Sequence, residues 1–512
     1  MSATAETSVA PQRGIAAEDR VPVGQKIGFA LGINMEIIAS NLTFGVLWLP
    51  VFNIGLGMSP VLLSGILIVM RVWDAFADPM MGNITDNART RWGRRRPFIF
   101  LGALATALVY PLFWHLPGDW SETARIVALT GIGLLFFTCY TVWAMPYFGL
   151  QLELTPNYDE RTRLAAWNSA FAKLGYLGMG WIFAFVLLAG SLATGDPAAF
   201  EGKGEFARRV LEFLQPLFTW LADPAPGETT VVVGMRAVGW FLSLGIFLLG
   251  VSPALFVRER YYQAEAKRQP KTPFLQSLRE SLHCKPLWQL IGMTFFLLVG
   301  SASIGGLGQY VNFYYVCQGD LAQGAVIAGW KSTVVIATGF ISIPLLTWCS
   351  ERYDKRVIVL AMLTFTILGH LSNYVLMTPE HPYLQIVSGV VEAVAVSAIW
   401  MFMPAMKADV ADWDESQTSR RREGSLNSFY SWFVKAALVL SLALGGVSLE
   451  LSGFDAKLDT QDAAAVERMF VIYLWLPVVF WIVAVVFAWF YPLGRVRAAE
   501  VRALLEQRRG RI

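Results

Sequence analysis

Apolar side chains run along this chain in long unbroken stretches, and the polar positions fall mainly between those stretches. A helix needs about 20 apolar residues to cross a bilayer. Reading for such runs predicts twelve crossings, at 27–52, 60–84, 98–116, 126–150, 165–193, 229–256, 287–316, 323–348, 357–377, 383–408, 426–451 and 469–492. The runs are continuous rather than alternating, which excludes the period-two pattern of a membrane β-barrel. Two longer polar stretches interrupt the series. Residues 194–228 hold an amphipathic pattern around Phe206 to Leu221, and residues 258–285 are basic and fall where a six-plus-six molecule would be hinged. The predicted organisation is a tail at 1–26, a six-helix bundle at 27–257 that includes loop 194–228, a central loop at 258–285, a second six-helix bundle at 286–493 and a tail at 494–512.

Composition agrees with an all-α membrane protein. Of 512 residues, 55% are apolar and 15% charged, and the mean hydropathy is +0.49. No soluble core could hide so much hydrophobic surface, so the excess faces lipid. A soluble enzyme, a disordered scaffold and a nucleic-acid binder are excluded together. The net charge of +3 is small, and its distribution says more. Lysine and arginine concentrate in 86–97, 258–285, 351–356 and 411–424, whereas loops 117–124, 317–322 and 378–382 hold none. The positive-inside bias then puts both termini in the cytoplasm, with loop 194–228 extracytoplasmic. No signal-peptide core with a cleavage site follows the polar first 25 residues, so the N-terminus is expected to stay attached. Cys139, Cys284, Cys317 and Cys349 are scattered, without CxxC or clustered histidines, and imply neither a disulfide framework nor a zinc site.

An ionisable side chain inside a span costs a few kcal/mol or more, so each one is a functional hypothesis until a partner explains it. Arg71, Asp74 and Asp78 lie in the second span at i, i+3 and i+7 and share one helix face. Asp74 is about 15 residues past the start of that span, roughly 22 Å along the axis, somewhat cytoplasmic of the midplane. Two carboxylates one turn apart in a desolvated cavity repel, and they share a proton or hold a cation between them. Sodium asks for several oxygen ligands, as other hard cations do, and a proton for a single acid; both ions stay open. The plainer alternative is that Arg71 neutralises Asp74 and locks two helices. Against it stands Lys435, a lone cation about ten residues into the eleventh span, which needs an anionic partner from another helix. A faint echo links the halves: Pro79 precedes Asp86 by seven residues, and Pro344 precedes Glu351 by seven. At the same offset Asp74 and Asp78 land on Gly339 and Ile343, so the acids belong to the first half alone.

Glu36 in the first span and Lys173 in the fifth sit at depths where they could line a cavity, although Lys173 could also snorkel toward the cytoplasm. Lys331, Arg236 and Glu392 could pair with one another or reach an interface, and receive no role. His370 in the ninth span reads as a hydrogen-bonded packing residue ahead of a proton carrier. Aromatic residues make up 13% of the chain. Trp114, Trp120 and Tyr383 sit at span ends, where interfacial belts are expected. Trp143, Tyr147 and Phe148 in the fourth span, Gln309, Tyr310, Asn312 and Tyr314 in the seventh and Trp400 in the tenth lie deeper. They suit stacking on a sugar ring or an amphipathic ring system, with core packing as the alternative for each. No HExxH or GxSxG occurs, and Trp330 breaks the phosphate-loop imitation at Gly324 to Ser332. An enzyme is not expected, nor a cofactor. The driving force is then an ion gradient, in which one charge moved through 100 mV supplies about 2.3 kcal/mol.

The segment RVWDAFADPMMGNITDNARTRWGRRRPFIFLG, Arg71 to Gly102, resembles the second span and following loop of the glycoside-pentoside-hexuronide:cation symporters in the major facilitator superfamily. MKADVADWDESQTSRRREGSLNSFYSWFVK, Met406 to Lys435, is similar to the family's loop between spans ten and eleven. Tyr147 to Arg163 (YFGLQLELTPNYDERTR) and Phe490 to Leu493 extend the likeness over nearly the whole chain. The resemblance implies a major facilitator fold of twelve helices in two six-helix bundles, a cation site at Asp74 and Asp78, and Lys435 completing its charge network. It implies that Asp86, Arg94, Arg95, Arg96, Arg161, Asp409, Asp412, Arg420, Arg421 and Arg422 form a cytoplasmic salt-bridge gate, to which Arg71 is added. Plain solvated loop charge stays open for individual arginines.

The departures bear on the cargo. The family's melibiose permease grips galactoside hydroxyls with an aspartate in the fourth span and an arginine in the fifth, and counting here gives Ala144 and, approximately, Asn168. Its tryptophan in the tenth span matches Trp400, and Glu36 falls near that permease's acid in the first. Tyr430 and Ser431 complete the candidate substrate set. The expectation is a monomeric, cation-coupled (sodium or proton) symporter of a sugar or glycoside in the bacterial inner membrane. A carrier of a lysophospholipid or glycoconjugate is the alternative, and a non-transporting receptor or assembly factor is a third reading that the retained charges argue against.

Overall fold

The computed structural model describes residues 20–88, 90–154, 158–259, 282, 284–418, 423–456, 458 and 461–509. Helix α1 (Val23–Glu36) continues through two wide-turn stretches, Ile37–Leu47 and Pro50–Gly55. It is followed by α2 (Pro60–Asn87), α3 (Arg96–Val109), α4 (Glu122–Glu153), α5 (Tyr158–Thr194), the shorter α6 (Glu205–Ala222) and α7 (Thr230–Phe256). The second half holds α8 (Lys285–Tyr310), which ends in a wide turn at Val311–Val316, and then α9 (Leu321–Arg352), α10 (Lys355–Leu371) and α11 (Gln385–Thr418). Helices α12 (Glu423–Ser452), α13 (Ala463–Trp489) and α14 (Arg495–Arg509) complete the chain. Among the described residues, eleven helices are long and apolar enough to cross a membrane. Helix α11, 34 residues long, stands where the remaining crossing was predicted.

The helices outrun the apolar runs that predicted them. Helices α2, α4, α9 and α11 continue to Asn87, Glu153, Arg352 and Thr418, past the predicted ends at 84, 150, 348 and 408. A helix keeps its i→i−4 hydrogen bonds after leaving lipid, so hydrophobicity marks the bilayer and not the helix. At several starts a side chain accepts an otherwise orphaned N–H. Ser121 Oγ accepts from Ala124 at 3.2 Å, Asp320 from Gln323 at 2.9 Å and Asp354 from Arg356 at 2.9 Å.

In the first bundle α7 packs against α1, α3 and α5, and α2 against α4; in the second, α8 packs against α12 and α13, and α11 against α9 and α10. Close approach in the first relies on glycine. Gly234 of α7 faces the Val186 carbonyl of α5, and Gly190 of α5 faces the Thr230 carbonyl of α7, so a Cβ at either position would collide with backbone. One device occurs in both halves. An asparagine in the wide turn that closes the first helical run ties down the next connection: Asn53 Nδ2 donates to Met58 O at 2.7 Å, and Asn312 Nδ2 to Gly324 O at 2.7 Å. Pro79 inside α2 and Pro344 inside α9 repeat likewise.

The two bundles meet unevenly. The end that carries residue 20 and α14 is termed the terminal end, and the opposite one the far end. In the half nearer the far end, Ser64 Oγ of α2 donates to Leu442 O of α12 at 3.1 Å, and Trp181 Nε1 of α5 to Thr333 Oγ1 of α9 at 3.1 Å. Tyr310 OH donates to Asn53 Oδ1 at 2.9 Å, and the Phe183 and Phe313 rings pack 5.2 Å apart. On α5, Gly180 lies against Ser332 of α9, whereas Ser169 and Ala166 on the same face are exposed. Among the described residues, these contacts close the crevice between the bundles at the far end, and it widens toward the terminal end.

The amphipathic pattern in 194–228 folds as α6 at the far end. Phe218 packs on Phe185 of α5 and Phe241 of α7, while Phe206, Phe213 and Trp220 are exposed. Arg236 pairs with Glu228 at the start of α7 and not with Lys331 or Glu392. Of the predicted central loop, residues 260–281 and 283 lie outside the described residues.

The α5–α7 seam yields a packing test. A Gly234→Val variant should lose about 1–3 kcal/mol, the usual cost of overpacking, read as a lower unfolding temperature of the purified protein. Gly178→Val, with nothing within 4 Å of a Cβ, should melt with the wild type; equal melting of both variants would contradict the close seam.

Candidate functional site

Helix α2 buries Leu63, Ile66, Leu67 and Met70 and carries Arg71, Asp74 and Asp78 along the same and adjoining side, toward α1, α4 and α12. Asp74 is buried and accepts from Thr141 Oγ1 of α4 at 3.1 Å. Arg71 Nη1 stands 3.8 Å from Asp74 Oδ2, beyond hydrogen-bond distance, while Nη2 donates to Ser40 Oγ at 3.0 Å. The guanidinium also lies over the Phe137 and Phe44 rings, at 5.1 and 5.9 Å. Arg71 is therefore held by rings and a hydroxyl rather than clamped onto the acid. Across the gap between bundles, the half-exposed Lys435 ammonium donates to Asp78 Oδ2. Lys435 thus reaches Asp78, with Asp74 one helical turn away.

Glu36 joins them. It lies where α1 passes into its wide turns, a place where functional side chains often sit. Asn41 Nδ2 is 3.5 Å from Glu36 Oε2 and 3.5 Å from Tyr176 OH. The buried Tyr140 is within electrostatic reach of Glu36, Asp74, Asp78 and Arg71 at once. Ionised, these three carboxylates against Arg71 and Lys435 leave a formal charge of −1, which one monovalent cation or one proton neutralises. Among the described residues no three His, Cys, Asp or Glu side chains converge as a metal site. Sodium at Asp74 and Asp78 would take further oxygens from Thr141 and water, donors that suit a hard cation.

The aromatic candidates divide. Trp143 and Tyr147 are fully buried inside the first bundle: Trp143 Nε1 donates to Gly250 O at 2.9 Å, Tyr147 OH to Phe29 O at 3.1 Å, and their rings stack at 4.6 Å. They fill the core, because α4 turns this face toward α1 and α7. Phe148 is exposed, and Asn168 Oδ1 is buried without a hydrogen-bond partner. Lys173 Nζ lies 3.5 Å above the Phe340 ring of α9. Tyr310 belongs to the far-end seal, and Tyr314 packs on Phe454 at 4.7 Å. Asn312 is engaged with Gly324 and accepts from Gln385 Nε2 at 2.8 Å. Gln309 and Ser431 are half-buried. Tyr430 OH donates to Thr294 Oγ1 at 3.1 Å. Trp400 is placed on α11, with its side chain outside the described residues.

At the terminal end several described charges find partners within their own bundle. The Glu259 carboxylate accepts the backbone N–H groups of Arg94, Arg95 and Arg96 at 2.7, 2.8 and 3.1 Å, an anion seated at the start of α3. Arg96 Nε donates to Ala254 O at 2.7 Å. Glu160 accepts from Lys26 Nζ at 2.6 Å and from Val21 N at 2.9 Å. Burial works against its ionisation, but these donors prevail and hold it below the ordinary carboxylate value. Asp409 of α11 pairs with Lys355 at 2.7 Å; burial pushes its carboxyl up, with Asp412 and Asp354 adding to the rise and Lys355 opposing it. Asp412 lies three residues beyond Asp409 on α11. Asp86 and Arg161 are placed on α2 and α5 without described side chains, and Arg420, Arg421 and Arg422 lie outside the described residues.

Sequence reasoning missed Thr141, Ser40, Asn53 and Glu259. A hydroxyl or amide in an apolar span carries no mark of the face it will occupy, and Glu259 reads as one more charge in a charged loop.

The sequence profile of the family described as MFS/sugar transport protein matches residues 30–495. The chain is 25% identical to an uncharacterized symporter, sll1374, of Synechocystis, over 94% of this chain and 96% of that one. It is 22% identical to the glucuronide carrier protein homolog of Escherichia coli, over 94% and 95%. A sodium-dependent lysophosphatidylcholine symporter 1-A of Danio rerio is 24% identical over 86% and 80%. The fold is similar to a bacterial homolog of the human lysosomal transporter Spinster, with a TM-score of 0.58, 17% identity, and 94% and 97% of the two chains covered. The chain therefore belongs to the MFS/sugar transport protein family, as a multi-pass membrane secondary transporter of the glycoside-pentoside-hexuronide symporter type and not an enzyme.

Proposed function

We propose that this transporter couples the entry of sodium or a proton, bound at Asp74 and Asp78, to symport of a sugar or glycoside by alternating access. The observation that carries the reading is the Asp78–Lys435 pair: the group that would bind the cation is also a group that joins the bundles. A cation arriving at Asp78 competes with the ammonium, so its binding bears on the arrangement of the bundles. With both termini in the cytoplasm of a bacterial inner membrane, the described crevice is the inward-open one. Charge within Arg94–Arg96, Asp86, Arg161, Asp409, Asp412 and Arg420–Arg422 would regroup to close the cytoplasmic end in the other state. The protein works as a monomer in this reading, and Phe148, Lys173 and Trp400 are its candidate cargo contacts.

A second cargo has its own support. Tyr176, Trp330 and Phe340 are exposed along the α5–α9 seam, a route by which an amphipathic molecule could reach the crevice from the bilayer, and one relative is named for lysophosphatidylcholine. Flux into proteoliposomes, with glycosides and lysophosphatidylcholine compared under sodium and proton gradients, separates the two.

One charge moved through 100 mV, about 2.3 kcal/mol, sustains roughly fifty-fold accumulation. Asp74→Asn should reduce accumulation to near unity while substrate counterflow survives, and unchanged gradient-driven uptake would refute the coupling role. Lys435→Ala leaves Asp78 without its partner. It should raise apparent affinity for the coupling cation at least about tenfold if the ammonium competes for the acid, a factor worth about 1.4 kcal/mol; an unaltered cation dependence would remove the competition from the mechanism.

A further inference from the structure

The second bundle holds a separate group of ionisable side chains that the cation site does not use. Lys331 of α9 and Glu392 of α11 lie ten and seven residues from the far ends of their helices, about 15 and 10 Å along the axes. Lys331 Nζ is 3.8 Å from Glu392 Oε2, and His370 Nδ1 of α10 is 3.7 Å from Glu392 Oε1. Neither distance is a hydrogen bond. The imidazole is fully buried, with the Tyr473 ring at 5.0 Å and the Trp481 edge at 5.2 Å, whereas Lys331 and Glu392 are each about one fifth exposed. The carboxylate therefore keeps an exposed edge, and the ring has none.

Proton positions follow from the partners. His370 Nε2 is 3.0 Å from the Tyr473 carbonyl, which can only accept, so Nε2 carries the hydrogen. In the neutral ring Nδ1 is then a lone pair, approached by the Asn373 amide at 3.4 Å. Glu392 Oε1 is buried and has no hydrogen-bond partner. Two acceptors thus face each other across 3.7 Å. A buried acceptor left unpaired is costly, and one added proton on Nδ1 would create the missing donor.

We propose that His370 and Glu392 form a proton-binding site in the second bundle, distinct from the cation pair in the first. The proton reaches the pair by way of the exposed edge of Glu392, comes to rest on Nδ1 and closes a hydrogen bond to Oε1, while the Asn373 amide gives up its 3.4 Å donation to Nδ1. The packing role of His370 persists, since Nε2–H remains on the Tyr473 carbonyl in both states. The groups facing the imidazole are Glu392 from α11, Lys331 from α9, the Tyr473 phenol from α13 and the neutral Asn373. Glu392 favours the charged ring and Lys331 opposes it.

The chain has only four histidines, so ¹⁵N-histidine NMR of the protein in nanodiscs can follow each one through acidification. One signal should be an Nε2–H tautomer at alkaline pH and become doubly protonated on acidification. It should vanish in His370→Asn. Its midpoint should fall by about one unit or more in Glu392→Gln and rise in Lys331→Met. Where His370→Asn fails to fold, the opposite shifts of the other two variants assign the signal. Asp74→Asn should leave the midpoint in place, so the result stands apart from the cation assignment. A His370 ring that stays neutral throughout, or a midpoint indifferent to Glu392→Gln, overturns the proposal.

Discussion

A carboxylate on a bilayer-crossing helix is tolerated only while positive charge or donors stand close to it, and here part of that charge comes from the opposite bundle. Asp78 is met by Lys435 of α12, and Asp74 by Thr141 and, more distantly, Arg71. Such a pair contributes little to stability once desolvation is counted. Its consequence is positional. Helices α2 and α12 touch directly near the far end, where Gly446 lies against Ser64 and the Pro60 carbonyl. Toward the terminal end the long Lys435 side chain reaches across to Asp78, and its release would leave the far-end seam of Ser64, Pro60 and Gly446 in place.

The halves share a scaffold and differ in chemistry. Asn53 and Asn312 tie down equivalent connections, and Pro79 and Pro344 interrupt equivalent helices. At the offset of Asp74 the second half has Gly339, whose space is taken up by Ser397 of α11. That position serves packing. Apart from Lys435 on α12, the second bundle has an ionisable cluster of its own elsewhere, on α9, α10 and α11. The halves repeat helices and turns, and each carries its ionisable groups at positions of its own.

Much of this was legible in the residues. Continuous apolar runs located the crossings because lipid demands them regardless of partners. The spacing of Arg71, Asp74 and Asp78 fixed a shared face, since helical periodicity is local. Which face of a uniformly apolar helix meets which neighbour is not local. Trp143 and Tyr147 looked as suited to a cavity as Phe148, yet they point into the core and Phe148 does not. Thr141 could not be singled out among the other hydroxyls of the spans for the same reason. Arg236 found its partner eight residues away in Glu228 rather than in a distant helix. Glu259 acts through three backbone N–H groups, a role set by where the chain folds back and not by any side-chain pattern.

Alternating access requires that the far-end seal be weak enough to exchange. Its described polar bonds are Ser64 to Leu442, Trp181 to Thr333, Ser332 to Tyr176 and Tyr310 to Asn53. Each contributes about 1 kcal/mol net in a folded protein, so they amount to a few kcal/mol, supplemented by ring contacts such as Phe183 with Phe313. Moving a two-state equilibrium from 1:99 to 99:1 takes about 5.5 kcal/mol of differential binding. In the proposed cycle, a single cation exchanging with Lys435 at Asp78 would release only the difference between two ion pairs in the same pocket. Cargo contacts at the crevice must then add to it, and a carrier whose conformational change needs both ligands together has the energetic basis of symport.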